Sequence, residues 1–373
     1  MNRDFCRPLL TTLVLLSSII ACAQVSKTET GEINGARYKI LFPATWNKKL
    51  VVYAHGYEFM GSPSGIDNAQ FGARLAPILN EGFAIAASAY RDQGFVLPDA
   101  IEDSEALRKK FIALYGKPDS TFVVGHSMGG GISIGIVEKY GANYQGALPL
   151  CPLSSKPYVQ TRKEFDMITV FNALFPGILP PMSEIMNPAI PATPASELFG
   201  KAGPMGEALR KDSIGARMLA GRFDLKPGDL PFAVLFGQNV LKDVAVKSGG
   251  NPFDNRNTVY SGFADDWVVN GKVERLACDG SAYDYMNRYS PTGKVGIPVL
   301  FMHTTYDQLI PAHLAVTNYD NMVRANGNSK WLVVKYTNGQ GHCQFTPEQL
   351  AYAFNALRAW AATGTAPMSG PVK

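Results

Sequence analysis

The chain has 373 residues, a formal net charge of +4, 46% hydrophobic and 18% charged residues. That length holds a full catalytic core and one sizeable insertion, and the composition excludes a disordered chain. No Lys/Arg run offers the basic footprint of a nucleic-acid binder, and the five cysteines show no CxxC or Cys/His spacing of a zinc site.

Arg3 and Arg7 precede an apolar run, Leu9 to Ile20, the layout of an export signal. The run falls short of the roughly 20 apolar residues that span a bilayer. Ile19-Ile20-Ala21-Cys22 resembles a bacterial lipobox, with Cys22 as the lipidated residue that would attach the chain to a membrane. Ala21-Cys22-Ala23 also fits ordinary signal cleavage, and an uncleaved anchor is the third outcome. All three expect residues 1–23 to direct export, to the periplasm, the cell envelope or the extracellular space. Cys151, Cys278 and Cys343 remain in the mature body. One disulfide among them, of undetermined pairing, competes with three buried thiols.

Residues 25–32 read as a polar linker. Strands are then expected over 36–42 and 50–53, the second running into the loop His55-Gly56-Tyr57. Residues 68–80 read as a helix stopped at Gly82, although Pro77 interrupts it. A continuous apolar strand follows over 83–90. Asp99, with Glu102 three residues on, is expected to cap a helix whose apolar face is Ala100, Leu107, Phe111 and Leu114. Gly116 and Pro118 end it. A strand at 121–124, a helix at 128–140 and a strand at 146–150 continue the alternation. It breaks over 154–294, which is rich in proline and carries helical patterns at 165–175, 207–211 and 232–246. Alternation resumes with a strand at 297–302, a helix near 312–326, a strand at 331–336 and a last helix from Thr346 to about Ala362, with Pro347 at its first position. The expected fold class is α/β: a mostly parallel sheet with helices on both faces. Its core spans 34–152 and 295–365, interrupted by a large, mainly helical insertion at 153–294.

Gly125-His126-Ser127-Met128-Gly129 sits between a strand and a helix. In that setting Gly-x-Ser-x-Gly places the serine on a tight turn that exposes Oγ, and Gly125 and Gly129 keep the crowded flanks of this nucleophile elbow small. Serine needs a base. Of the five histidines, His342 lies in a glycine-rich loop after the last core strand, behind the serine and the acid in chain order. Asp307 is the only acidic residue in the loop after the preceding strand. His55 is expected to shape its turn and His126 to point away from Ser127. Two backbone N–H groups, one from Met128 and one from Gly56 or Tyr57, are expected to form an oxyanion hole.

With these residues the chain resembles the α/β-hydrolase superfamily, in particular its secreted lipase- and esterase-like members. The resemblance rests on His55-Gly56, Gly125 to Gly130, Asp307 with Pro311, and Gly341-His342, and covers 36–362 apart from the insertion. It implies an α/β-hydrolase fold, a Ser127-His342-Asp307 mechanism without metal or organic cofactor, and a cap where the insertion lies. A small-molecule or lipid-like carboxylic ester is the expected substrate, with Phe171 and Phe175, spaced i,i+4, as expected pocket residues. The alternatives are an exported peptidase, amidase or thioesterase on the same fold, for which Glu58 offers a carboxylate to a free amine, and a non-catalytic surface lipoprotein.

Overall fold

The computed structural model describes residues 25–372, so the expected signal segment and Cys22 lie outside the described residues. One sheet contains β1 (Val25–Ile33), β2 (Ala36–Pro43), β3 (Leu50–Ala54), β4 (Ala84–Ser88), β5 (Thr121–His126), β6 (Gly146–Leu150), β7 (Val299–Tyr306), β8 (Leu332–Gln340) and β9 (Gly370–Pro371). Their spatial order is β1-β2-β4-β3-β5-β6-β7-β8-β9. The pairs β1–β2 and β2–β4 are antiparallel, and all the others are parallel.

The side-chain period of two sends neighbouring residues to opposite faces. Leu50, Val52 and Ala54 of β3 enter one core, and Val51 and Tyr53 enter the other. Both faces are therefore covered, as a parallel sheet requires. The first is packed by α1 (Leu97–Tyr115) and α2 (Met128–Tyr140). The insertion between β6 and β7 contains α3 (Pro157–Leu174), α4 (Ala202–Lys211), α5 (Ser213–Arg222) and α6 (Leu230–Ser248) among shorter helices. After β7, α7 (Asn318–Ala325) adds Tyr319 and Val323 to the first face, and α8 (Pro347–Thr363) covers the second with Phe354, Leu357 and Trp360.

The insertion has a core of its own, with Phe165, Ile168 and Phe171 of α3 packed among Leu219 of α5 and Leu235 and Leu241 of α6. Polar contacts tie it to loops and turns of the sheet-bearing core. The Gln160 amide donates to Leu309 O at 2.9 Å, Ser154 Oγ donates to Ala315 O at 2.9 Å, and Phe95 N–H donates to Asp243.

Three local expectations are corrected. The segment read as a polar linker is β1, held by pairing with β2 rather than by burial of an apolar face. Asn34 (φ 52°) and Gly35 (φ 84°) form its hairpin turn, and Asn-Gly is the signal that marks such turns. The helix expected over 68–80 divides into Phe71–Arg74 and Ala76–Asn80, because Pro77 starts a new first turn. Asp99 does not cap α1: the helix begins at Leu97 with Pro98 in its first turn, so Asp99 is already helical.

Candidate active site

Ser127 lies between β5 and α2 with φ 60° and ψ −125°. A left-handed backbone at a non-glycine residue costs of order 1–3 kcal/mol and persists only where the surroundings impose it. Here Ser127 N–H donates to Leu150 O at 2.9 Å, while Ser127 O accepts from Gly130 N and Leu153 N. A Cβ on Gly125 would strike the Gly129 carbonyl, and one on Gly129 would strike the Ala54 carbonyl. The spacing of the two glycines is thus a steric requirement of this turn.

β7 delivers Asp307 and β8 delivers His342, each in the loop just past its strand. Ser127 Oγ and His342 Nε2 are 2.8 Å apart, and His342 Nδ1 and Asp307 Oδ2 are 2.7 Å apart. Asp307 Oδ1 accepts from Leu309 N at 2.9 Å and Ile310 N at 2.8 Å. Burial pushes the Asp307 carboxyl up, but the hydrogen bond and charge of His342, with the Ile310 N–H, hold it below its ordinary value. It is therefore a carboxylate that accepts from Nδ1–H, which leaves Nε2 to accept from the Ser127 hydroxyl. The loop is set by Gly341 (φ 145°) and by His342 N–H donating to Gln308 Oε1 at 2.8 Å. Cys343, the next residue, is joined to Cys151 by a disulfide, while Cys278 is free. That bond resolves the pairing left open by the sequence. It also takes both thiols out of the cluster Cys151, His342 and Cys343, the one group of three potential metal ligands among the described residues.

Gly56 runs over the serine: a Cβ added to it would lie 3.2 Å from Ser127 Cβ and 3.7 Å from Oγ. Among the described residues, the Tyr57 and Met128 N–H groups donate no hydrogen bond within the molecule. Both flank Ser127, and Met128 adds the positive end of α2. His55 stacks on Tyr90 with ring centroids 4.0 Å apart and bonds Gly56 O through Nδ1 at 2.9 Å, so it shapes this loop. Glu58 Oε1 accepts from Gly65 N–H at 2.6 Å. His126 turns to Tyr53 Oη at 3.1 Å, and burial, with the charges of Arg74 and His342, pushes its imidazole down to about 4.

Two cavities meet at Ser127. The larger, about 620 Å³, opens past His342, Arg74, Tyr57 and Phe236. The smaller, about 30 Å³, lies inward between Met128, Leu153, Val240, Gln160 and Glu164. Phe171 and Phe175 line neither, which corrects their assignment as pocket residues. They are 0% and 5% exposed within the insertion's own core. Phe171 shares a helical stripe with Gln160 and Glu164 but sits two turns further along α3, about 10 Å at 1.5 Å per residue, and Phe175 lies just past the helix end. The correct face therefore leaves the cavity before it reaches them. Phe236 is the aromatic that the insertion brings to both cavities, one of several in the insertion that nothing local singled out.

The strand order, the parallel crossovers and a serine on the turn after the fifth strand decide the architecture. The chain has the α/β-hydrolase fold. No protein-family model matches it, and neither does any curated protein. Among solved structures it is similar to an esterase of Pyrococcus furiosus, at 14% identity and TM-score 0.47 over 90% of this chain and 91% of that one. An acylaminoacyl peptidase of Pyrococcus horikoshii is similar at 9% identity and TM-score 0.47, over 90% of this chain and 42% of that one. A proline iminopeptidase of Mycobacterium smegmatis is similar at 13% identity and TM-score 0.46, over 91% of this chain and 100% of that one. The fold assignment rests on the sheet and the elbow rather than on these likenesses.

Proposed function

We propose that this α/β-hydrolase-fold chain is an exported serine hydrolase that cleaves carboxylic esters by acyl transfer at Ser127. The observation that carries the reading is the hydrogen-bonded series Asp307–His342–Ser127, 2.7 and 2.8 Å link by link. His342 Nε2 takes the hydroxyl proton as Oγ attacks the substrate carbonyl. The negative charge that develops on oxygen falls between the unused N–H groups of Met128 and Tyr57. Collapse of the tetrahedral intermediate breaks the bond to the leaving group, which takes the proton from His342. Water then repeats the two steps on the acyl-enzyme and restores Ser127. Asp307 stays ionised throughout, orienting the ring and stabilising the imidazolium.

The insertion acts in this reading as a cap. Gln160, Glu164, Phe236 and Val240 come from it to the wall of the smaller cavity, and a partly apolar wall suits the acyl part of a small or lipid-like ester. Export is supported by the Cys151–Cys343 disulfide, a bond that persists in oxidising compartments. Lipidation at Cys22 would hold the enzyme at the cell envelope.

The test is covalent labelling with a fluorophosphonate, followed by a panel of p-nitrophenyl esters of increasing acyl length. The wild type should label at Ser127 and turn over the esters, and Ser127→Ala should do neither. A protein that neither labels nor hydrolyses any ester would instead be a non-catalytic surface protein.

A further inference from the structure

The smaller cavity holds two polar groups that the mechanism does not use. Glu164 is 8% exposed and Gln160 is 2% exposed. Both line the cavity together with Ser127 and Met128. Glu164 Oε2 and Gln160 Oε1 are buried, and neither has a hydrogen-bond partner among the described residues. The rest of the wall is Phe95, Leu153, Phe236, Val240, Leu309 and Ile310 with Tyr57 and Thr161; Thr161 Oγ1 donates to Pro157 O and Tyr57 Oη accepts from Asn239. A buried acceptor without a donor loses its solvation uncompensated, and a buried carboxylate loses more. Two such acceptors beside a nucleophile form a site that lacks its donor.

Among the described residues no group of the chain donates to Glu164 Oε2 or Gln160 Oε1. One N–H of the Gln160 amide donates to Leu309 O at 2.9 Å; the other is turned toward the Glu164 carboxyl and still leaves Glu164 Oε2 without a partner. Lys163, the neighbouring cation, makes no ion pair with Glu164 among the described residues and lines a different cleft, with Asp166 and Asp224. The cavity's volume of about 30 Å³ admits a group the size of roughly two water molecules. A hydroxyl offers one donor and no charge. An ammonium offers three donors and a positive charge, and so satisfies both acceptors and neutralises the carboxylate. Burial raises the Glu164 carboxyl to about 7, partly offset by the Lys163 charge and a hydrogen bond from Gln160. A carboxyl poised in this way becomes fully ionised when a cation arrives.

We infer that Glu164, assisted by Gln160, is a specificity-determining residue that receives a primary ammonium group on the acyl part of the substrate, next to the carbonyl attacked by Ser127. This rests on the serine hydrolase reading and narrows its substrate class to esters of amino acids or similar α-amino acyl compounds. The apolar side chains around the acceptors exclude bulk water and keep the ion pair strong.

The test compares three benzyl esters, of alanine, N-acetylalanine and propionic acid, by release of benzyl alcohol. Fluorophosphonate labelling of every sample reports the nucleophile separately. Wild type should favour the alanine ester over the other two at least tenfold in kcat/KM. Glu164→Gln should lower that ratio about tenfold or more, because the neutral amide keeps the shape and removes the charge. Gln160→Met should lower it less. Should either variant fail to fold, the wild type alone decides: n-propylammonium should inhibit propionate-ester hydrolysis at least tenfold better than n-propanol. A labelled enzyme with no preference for the free amine, or Glu164→Gln with the preference intact, overturns the assignment. An enzyme that does not label rejects the hydrolase reading itself.

Discussion

Cys151 and Cys343, separated by 192 residues in sequence, have Cα atoms 5.4 Å apart and are covalently joined. The bond fastens the residue after His342 to the residue after β6, whose Leu150 carbonyl in turn holds the Ser127 N–H. His342 and Ser127 therefore share one anchor. Closing so long a loop in the unfolded chain is worth roughly 2–5 kcal/mol. Cys343→Ala and Cys151→Ala should each lower the melting temperature and reduce kcat by loosening the His342 loop. Thermal melts and ester assays with and without dithiothreitol check this. Equal activity before and after verified reduction would show that His342 is held by Gln308 and Gly341 alone.

Ser127→Ala should lower kcat by about 10³-fold or more, and Asp307→Asn by roughly 10³- to 10⁴-fold. Combined with His342→Ala, neither loss should add, because the three groups act as one unit. Asp307→Asn retaining more than roughly a tenth of wild-type kcat would send the search for the acid elsewhere.

Asp307 also makes a prediction about acid stability. Its folded carboxyl is held below its ordinary value. The stabilisation is present above the unfolded value and disappears as pH falls through the folded one. Wild type should therefore lose more stability than Asp307→Asn on going from about pH 5 to pH 2. Parallel urea melts across that window measure the difference.

Glu164 has the opposite sign. Its folded carboxyl is raised to about 7 from 4.5, chiefly by burial. The folded protein then holds a proton that the unfolded chain releases between those values. Its contribution is full below the unfolded value and is lost as pH rises through the folded one, by up to about 1.4 kcal/mol per pH unit. Glu164→Gln should flatten the stability profile between pH 5 and 7. A profile with the wild-type slope would mean that Glu164 is already paired.

Phe236 and Phe171 separate cavity from core. Phe236 lines both cavities beside Ser127, whereas Phe171 is buried inside the insertion. Phe236→Ala should shift kcat/KM toward bulkier acyl groups, at about 1–3 kcal/mol per methylene of fit. Phe171→Ala should leave the chain-length profile unchanged while costing roughly 3–5 kcal/mol of stability. An ester-length series measured beside melting curves distinguishes the two.

Much of this molecule was legible in the sequence because it is written locally. The strand–Gly-x-Ser-x-Gly–helix turn demands small flanks for steric reasons that hold within five residues. The alternation of apolar strands with amphipathic helices imposes a parallel sheet, and chain order alone placed Asp307 and His342 after the last two long strands. The Asn34-Gly35 hairpin was equally legible and was hidden only by the polarity of β1. Other features are properties of three-dimensional contact. The partner of Cys343 depends on where β6 ends, not on any spacing. The stripe of α3 carries Gln160, Glu164 and Phe171 on one face, with Phe175 just past its end, and periodicity cannot say which of its turns meets Ser127. The packing of α3 on α6 decided that, leaving two unpaired acceptors in the cavity and both phenylalanines in the insertion's core, because a helix rises about 10 Å over the two turns that separate them.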